Sequence, residues 1–238
     1  MAAMSSSTIL STAIEFLYFR LKPSVRPEEA ADGNEGERFL KLLKETTQRS
    51  GHMASAWGRT EEDENDVVWV IEWADSSHSV SIDCLQPFVD PSSPQVIALF
   101  ANLNPPPMTT SGTLADNPVT ELAALAVPST LTPAEQTKWH EDIVAFRSAL
   151  MEKVSQKDIR PLTWSTGYVE RPATFDHPQS PSGKAQVYLL AVGWESKEKH
   201  LAARETQEFA DTIQPLRKKT LPPVKGLEMR HVRFRKVK

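Results

Sequence analysis

Two histidines, an arginine and a tyrosine stand on segments that otherwise read as apolar strands: His52, His231, Arg20 and Tyr18. A group able to take a proton near neutral pH, beside donors that hold a developing oxyanion, supports proton abstraction without metal or organic cofactor. His52 and His231 are the candidate bases. Arg20 and Tyr18 are the candidate oxyanion partners, and Asn102 and Tyr168 add hydrogen-bond donors. Trp57, Trp69 and Trp164 offer flat apolar faces on which an aromatic ligand stacks. Each also has a structural reading. His52 follows Gly51 and reads as part of a helix end. His231 alternates with arginines and reads as exposed. The tryptophans read as core, and Tyr18 with Arg20 as a core pair reaching the rim.

Other chemistry is poorly provided for. The chain has 9 glycines and no G-x-G-x-x-G or Walker pattern, so no bound nucleotide cofactor is expected. There is no H-E-x-x-H, and no G-x-S-x-G elbow. Asp75 and His78 share a helical spacing, but two ligands fall short of the three or four of a metal site. No metal and no cofactor are expected.

The 238 residues are 39% hydrophobic and 24% charged, with a formal net charge of −4. Nucleic-acid binding needs a concentrated basic surface. The only dense basic run is Arg230–Lys238, which reads as a last strand with solvated charges, so nucleic acid is not an expected partner. Cys84 is a lone thiol, read as a small buried or half-buried residue. A chain without an internal disulfide fits a reducing compartment, and cytosol is the expectation. No run approaches the length of a membrane span, and Glu15 interrupts the apolar patch near the start.

The elements that must position these residues repeat. Val67–Trp73 followed by Ala74-Asp75-Ser76 returns as Val187–Trp194 followed by Glu195-Ser196, which marks two copies of one unit. In the first, Thr12–Leu21 predicts a strand and Glu35–Arg49 a helix ended by Gly51. His52–Arg59 and Asp66–Trp73 predict a hairpin across the acidic loop Glu61–Asp66. A second helix is expected around Ser77–Phe88, then a strand over Val96–Asn102. The prolines and small residues of Asn104–Val119 read as a linker.

In the second unit, Glu121–Val127 predicts a strand. Pro133–Val154 predicts a helix capped by Thr132 and Glu135. Leu162–Glu170 and Gln186–Trp194 predict strands, Lys197–Lys219 a helix, and Leu227–Val237 a last strand. The fold class is therefore α+β: two tandem ferredoxin-like β-α-β-β-α-β repeats over 12–104 and 120–237, joined by a linker at 105–119. Phe16-Leu17-Tyr18-Phe19 and Val67–Ile71 are apolar at consecutive positions, so both faces of those strands are buried. Helices cover one face. The other packs against the second unit's sheet in a barrel-like core.

This element order, with Trp73-Ala74-Asp75-Ser76 and Trp194-Glu195-Ser196 at the end of each third strand, resembles the dimeric α/β-barrel superfamily. That group includes antibiotic-biosynthesis monooxygenases, stress-responsive barrel proteins and related polyketide cyclases. The texture is also similar to fungal tandem proteins of this type. The resemblance covers about Thr12 to Val237 and transfers no catalytic residue. It implies a single-chain pseudo-dimer, monomeric as a chain, with a small-molecule pocket between a sheet and its helices. It further implies a cofactor-free monooxygenase or cyclase acting on an aromatic or polyketide-like substrate. The alternative is a non-catalytic ligand-binding or interaction protein. Because some relatives degrade haem, a haem site is a third reading, and it requires a histidine over the pocket.

Aligning Glu15 with Glu121 sets Tyr18 on Ala124 and Arg20 on Ala126. Bulky polar residues in one unit face small ones in the other, so at most one unit keeps a working cavity.

Overall fold

In β1 (Ala13–Arg20) every residue but the last is buried, and successive side chains serve two different cores. Ile14, Phe16 and Tyr18 point into one cluster, while Ala13, Leu17 and Phe19 point into another. That division is the period of two of an extended chain. It is the reason the strand has no polar stripe. The computed structural model describes residues 12–93 and 95–238.

The first half continues with α1 (Glu35–Thr46), β2 (His52–Thr60), β3 (Asp66–Trp73) and β4 (Ile97–Ala101). The second half contains β5 (Val119–Pro128), α2 (Pro133–Ser148), β6 (Thr163–Arg171), the two-residue β7 (Phe175–Asp176) and β8 (Lys184–Trp194). It ends with α3 (Lys197–Arg204), α4 (Gln207–Arg217) and β9 (Arg230–Lys236). Strands pair in the order β5-β9-β2-β3-β1-β4-β6-β8, and β8 pairs back to β5. The result is a closed antiparallel barrel of eight strands, with β7 pairing alongside the start of β8. The strand order is the same in both halves: β2-β3-β1-β4 and β6-β8-β5-β9.

The two sheets join edge to edge at β2–β9 and β4–β6. The barrel interior is filled by side chains from both halves, including Phe16, Val68, Val70, Leu122, Leu189 and Phe234. Residues between β4 and β5 do not hang as a loose linker. Leu103, Met108 and Leu114 enter the interior core, and the buried Glu72 carboxylate accepts the Met108 and Thr109 amides. The outer faces of the two sheets carry separate cores, under α1 and under α2–α4.

Local chemistry accounts for the helix ends. Asn34 caps α1, and Thr132 with Glu135 forms the capping box of α2. Gly51, at φ +76°, makes the turn into β2. Two helix expectations are corrected. The span Lys197–Lys219 is split, because the Thr206 hydroxyl accepts the Phe209 amide and starts a new helix. Around Ser77–Phe88 there is only the 3-10 turn Ile82–Leu85. Asp75 ties up the Ser77 amide and hydroxyl, and the Val80 amide goes to the Glu15 carboxylate instead of a helical carbonyl. Short polar side chains compete with helical hydrogen bonds in this way. Among the described residues, no helix is long and apolar enough to cross a membrane.

Candidate active site

A cavity of about 200 Å³ lies between the outer face of the second half's sheet and helices α2–α4. Its floor is built from alternate residues of β5 and β8, which share the face of the sheet that the helices cover. Phe146, Trp164, Leu190 and Phe209 make much of the wall apolar. The polar groups on the wall are few: Glu121, His200, Arg204, Arg217 and Thr220 among them. Arg217 and Met229 are exposed and mark the mouth. Ala123, a small residue on the covered face, leaves the space open.

Glu121 is the chemically distinctive group. Its side chain is 13% exposed. Its Oε2 accepts the indole N–H of Trp194 at 3.1 Å, and His200 Nε2 stands 3.4 Å from the same oxygen. Burial pushes its pKa up to about 7, against the opposing pull of the Trp194 hydrogen bond and the Arg204 charge. Water no longer solvates the anion, and one neutral donor compensates only in part. Arg204 lines the same cavity and forms no salt bridge among the described residues. A carboxylate that titrates near neutrality, in an apolar cavity beside a cation, is equipped to take a proton and to hold the anion left behind.

Behind Glu121 runs a chain of buried rings. His200 Nδ1 and His231 Nε2 are 2.7 Å apart. His231 Nδ1 lies 2.8 Å from Glu62 Oε1, and the His231 amide donates to Glu62 Oε2 at 2.9 Å. Lys197 Nζ donates to Glu62 Oε1 at 2.7 Å. Burial lowers the His200 pKa to about 3, aided by the charges of His231, Arg204 and Lys197. For Glu62, burial pushes upward but the Lys197 and His231 hydrogen bonds outweigh it, leaving the carboxyl at about 2.

The equivalent carboxylate of the first half is differently placed. Trp73 Nε1 donates to Glu15 Oε2 at 2.8 Å, matching the Trp194–Glu121 bond. The Val80 amide then reaches both Glu15 oxygens at 3.2 and 3.1 Å, where Glu121 has His200 and the cavity. Burial raises the Glu15 pKa against these hydrogen bonds. Glu15 is enclosed by its own half's core; Glu121 opens on the cavity of about 200 Å³.

The residues singled out in the sequence do not converge on one point. Trp164 lines the cavity, and its indole N–H has no hydrogen-bond partner among the described residues. His231 reaches it through His200. It is 1% exposed, which corrects the expectation of a solvated position: it shares the outer face of β9 with Arg233 and Arg235, but its ring is covered by His200 of α3. The other candidates lie elsewhere. His52 borders a groove with Met53, Met108 and Lys236, with its Nε2 3.1 Å from Ser55 Oγ. Arg20 is paired with Asp63, Asp66 and Asp90. Tyr18 stacks on Phe16 in the barrel interior, and burial raises its pKa. Trp57 and Trp69 belong to the core beneath α1. Asn102 is exposed and Tyr168 packs edge-on against Tyr188.

Glu121 and His200 carry the site without having been candidates. The signal for Glu121 was present: a carboxylate recurs at the same place on an apolar strand in both units, where a salt-free surface position has no reason to repeat. His200 gave no signal, because its role depends on a 31-residue separation from His231 closing in space.

No protein-family model matches the chain, and no curated protein sequence matches it. Solved structures do. An anthrone oxidase-like protein superposes with a TM-score of 0.56 at 11% identity, over 95% of this chain and 94% of that one. A chlorite dismutase-type protein gives 0.54 at 10% identity, over 95% and 96%. A protein from Fusobacterium nucleatum described as a monooxygenase gives 0.51 at 10% identity, over 96% and 94%. These likenesses extend over nearly the whole chain and concern the fold, which hosts more than one activity.

Proposed function

We propose that this chain is a cofactor-independent enzyme of the monooxygenase or cyclase type. Its substrate is an aromatic or polyketide-like small molecule held in the second half's cavity. The reading is carried by one observation: Glu121 stands on the wall of an apolar cavity, hydrogen-bonded by Trp194 and accompanied by Arg204. Ionised Glu121 removes a proton from an enolisable or phenolic position. Arg204 faces the resulting enolate, and Trp164 with Phe146 packs against the ring. The enolate carbon then bonds to dioxygen to give a hydroperoxide; loss of the second proton from that carbon breaks the O–O bond, so that one oxygen stays as a carbonyl and the other leaves as water. In a cyclase the enolate carbon attacks a carbonyl carbon of the same molecule. Residues 12–104 and 120–237 serve as two tandem ferredoxin-like units, one retaining the working cavity. The barrel closes within one chain, which suits a monomer, and the free Cys84 suits the cytoplasm.

The names of structural neighbours, a monooxygenase and an anthrone oxidase-like protein, point toward the same chemistry. At about 200 Å³ the cavity is smaller than the roughly 300–1,000 Å³ of drug-sized clefts. The reacting ring therefore enters, and any longer substituent leaves past Arg217 and Met229. The site does not fit a haem. The cavity of about 200 Å³ is too small for the macrocycle, and His200 has Nδ1 engaged by His231 and the Glu121 carboxyl 3.4 Å from Nε2, where an axial iron would have to stand.

Anthrone is the first probe, with product followed by absorbance in the absence of added flavin or metal. Wild type is expected to turn over, and Glu121→Gln to be slowed about 100-fold or more, the scale of a lost general base. Equal rates overturn the assignment. The filled barrel interior and modest cavity favour one other reading, a ligand binder without turnover. It predicts that wild type and Glu121→Gln bind the probe alike and convert none of it.

A further inference from the structure

Glu121, His200, His231 and Glu62 form a line from the cavity wall to the protein surface. The successive separations are 3.4, 2.7 and 2.8 Å. The two rings are buried, at 2% and 1% exposure, while the Glu62 side chain is 37% exposed. Each imidazole uses both nitrogens in the line. A hydrogen bond between two ring nitrogens holds one proton, so the position of a single proton dictates the next.

Glu62 accepts from Lys197 and from the His231 amide and stays ionised, so His231 Nδ1 must be the donor toward it. Two arrangements then satisfy every bond with the same number of protons. In the first, the Glu121 carboxylic acid donates to His200 Nε2, His200 Nδ1–H donates to His231 Nε2, and His231 is neutral. In the second, the Glu121 proton has moved to His200 Nε2 and the Nδ1 proton of His200 to His231 Nε2. Glu121 is then ionised, and His231 is an imidazolium against the Glu62 carboxylate. Two N–H or O–H bonds break and two form. One proton's charge moves from the cavity wall to the rim, once Glu121 and His200 close from 3.4 Å to hydrogen-bond distance. His200 is neutral in both, which its low basicity favours.

We propose that the His200–His231 pair is a proton store for the cavity carboxylate: it takes the proton that Glu121 receives, parks it on His231 beside Glu62, and returns it. The store rests on the reading of Glu121 as the base. It lets an apolar cavity free its base while the enolate reacts, and deliver the stored proton to the departing oxygen or, in a cyclisation, to the product's new hydroxyl, without bulk water entering. The charged groups facing the line are Arg204 and Lys197 from α3 and Glu62 from the β2–β3 loop. Trp194 Nε1 on β8 donates to the ionised form of Glu121. His231 and Glu62 act through His200 and are positioning residues.

The test is a pH titration of the full chain by NMR, with ¹⁵N-histidine and ¹³C-glutamate labels and no substrate. The expected result is one shared midpoint at which three signals move together. These are Glu121 Cδ, His231 Nε2 gaining a proton as pH falls, and His200 shifting its proton from Nδ1 toward Nε2. In Glu62→Gln, which removes the anion that stabilises the imidazolium, His200 is expected to keep its proton on Nδ1 while Glu121 still titrates. A wild-type His200 that holds its proton on Nδ1 throughout overturns the store. So does a Glu62→Gln titration identical to wild type. If the shared step appears but Glu121→Gln turns over at the wild-type rate, the base assignment fails and the proton store survives as a property of the fold.

Discussion

The indole N–H of Trp194 donates to Glu121 Oε2 at 3.1 Å, and it favours the ionised carboxylate over the neutral acid. Trp73 does the same for Glu15 in the other half. A variant that removes the donor while keeping an aromatic ring isolates its electrostatic part. Trp194→Phe is expected to raise the Glu121 pKa further. The midpoint of kcat/KM against pH, expected near 7 in wild type from the raised Glu121, moves to higher pH. An unchanged profile assigns Trp194 to packing alone.

Stability against pH carries a signature of the same cluster. Glu121 is raised from 4.5 to about 7, so the folded state holds the extra proton in that window and Glu121's contribution falls as pH rises through it. His200 is lowered from 6.5 to about 3, so its contribution rises with pH between those values. The two slopes oppose between about 4.5 and 6.5. Replacing Glu121 by Gln removes one of them. Urea midpoints of Glu121→Gln are therefore expected to climb with pH across that interval more steeply than wild type. Parallel curves for the two proteins contradict the shifted carboxyl. Below pH 4.5, Glu62, held at about 2, adds a loss on acidification in both.

Arg20 gives a contrasting case. Its guanidinium is shared among three aspartates at partly exposed positions, an arrangement worth about 1 kcal/mol or less. Arg20→Met is expected to lower thermal stability slightly and leave turnover of the probe unchanged. A large fall in kcat with a normal melting temperature would return Arg20 to the catalytic machinery.

The barrel was largely readable because β1 and β3 carry apolar residues at consecutive positions and the third strands share the Trp-x-acid/Ser ending. Closure edge to edge was not readable. The seam pairs Ala56 with Lys236 and Ala101 with Val169, and no local pattern announces partners so distant in the chain. The absent helix after Trp73 was hidden by a long-range event, the capture of the Val80 amide by Glu15. The site was less legible. Ala124 packs, like Tyr18, against the barrel interior, so the contrast between them did not forecast the space on the helix-covered face. The pairing of His231 with His200 required tertiary structure, since in sequence His231 is only one residue of a basic run, flanked by Arg230 and Arg233.

Glu72 gives a prediction that concerns folding alone. Its buried carboxylate takes the amides of Met108 and Thr109, fastening the segment between the halves to the barrel. Glu72→Ala leaves the buried Met108 amide unpaired, at a cost of about 2 kcal/mol. The expected result is a lower urea midpoint with faster hydrogen exchange confined to residues 103–118. Uniformly faster exchange over the whole chain would mean that this segment has no stability of its own.

Because one polypeptide supplies both halves of the ring, a substitution falls on one wall only. In an assembly of two identical chains, any change that opened a hollow above Glu121 would open its twin above Glu15 and be charged to stability twice. Here Val80 seals one carboxylate while its counterpart stays accessible. Continuity of the chain thus separates the duty of holding the barrel from the duty of meeting a ligand, and leaves each half free to specialise.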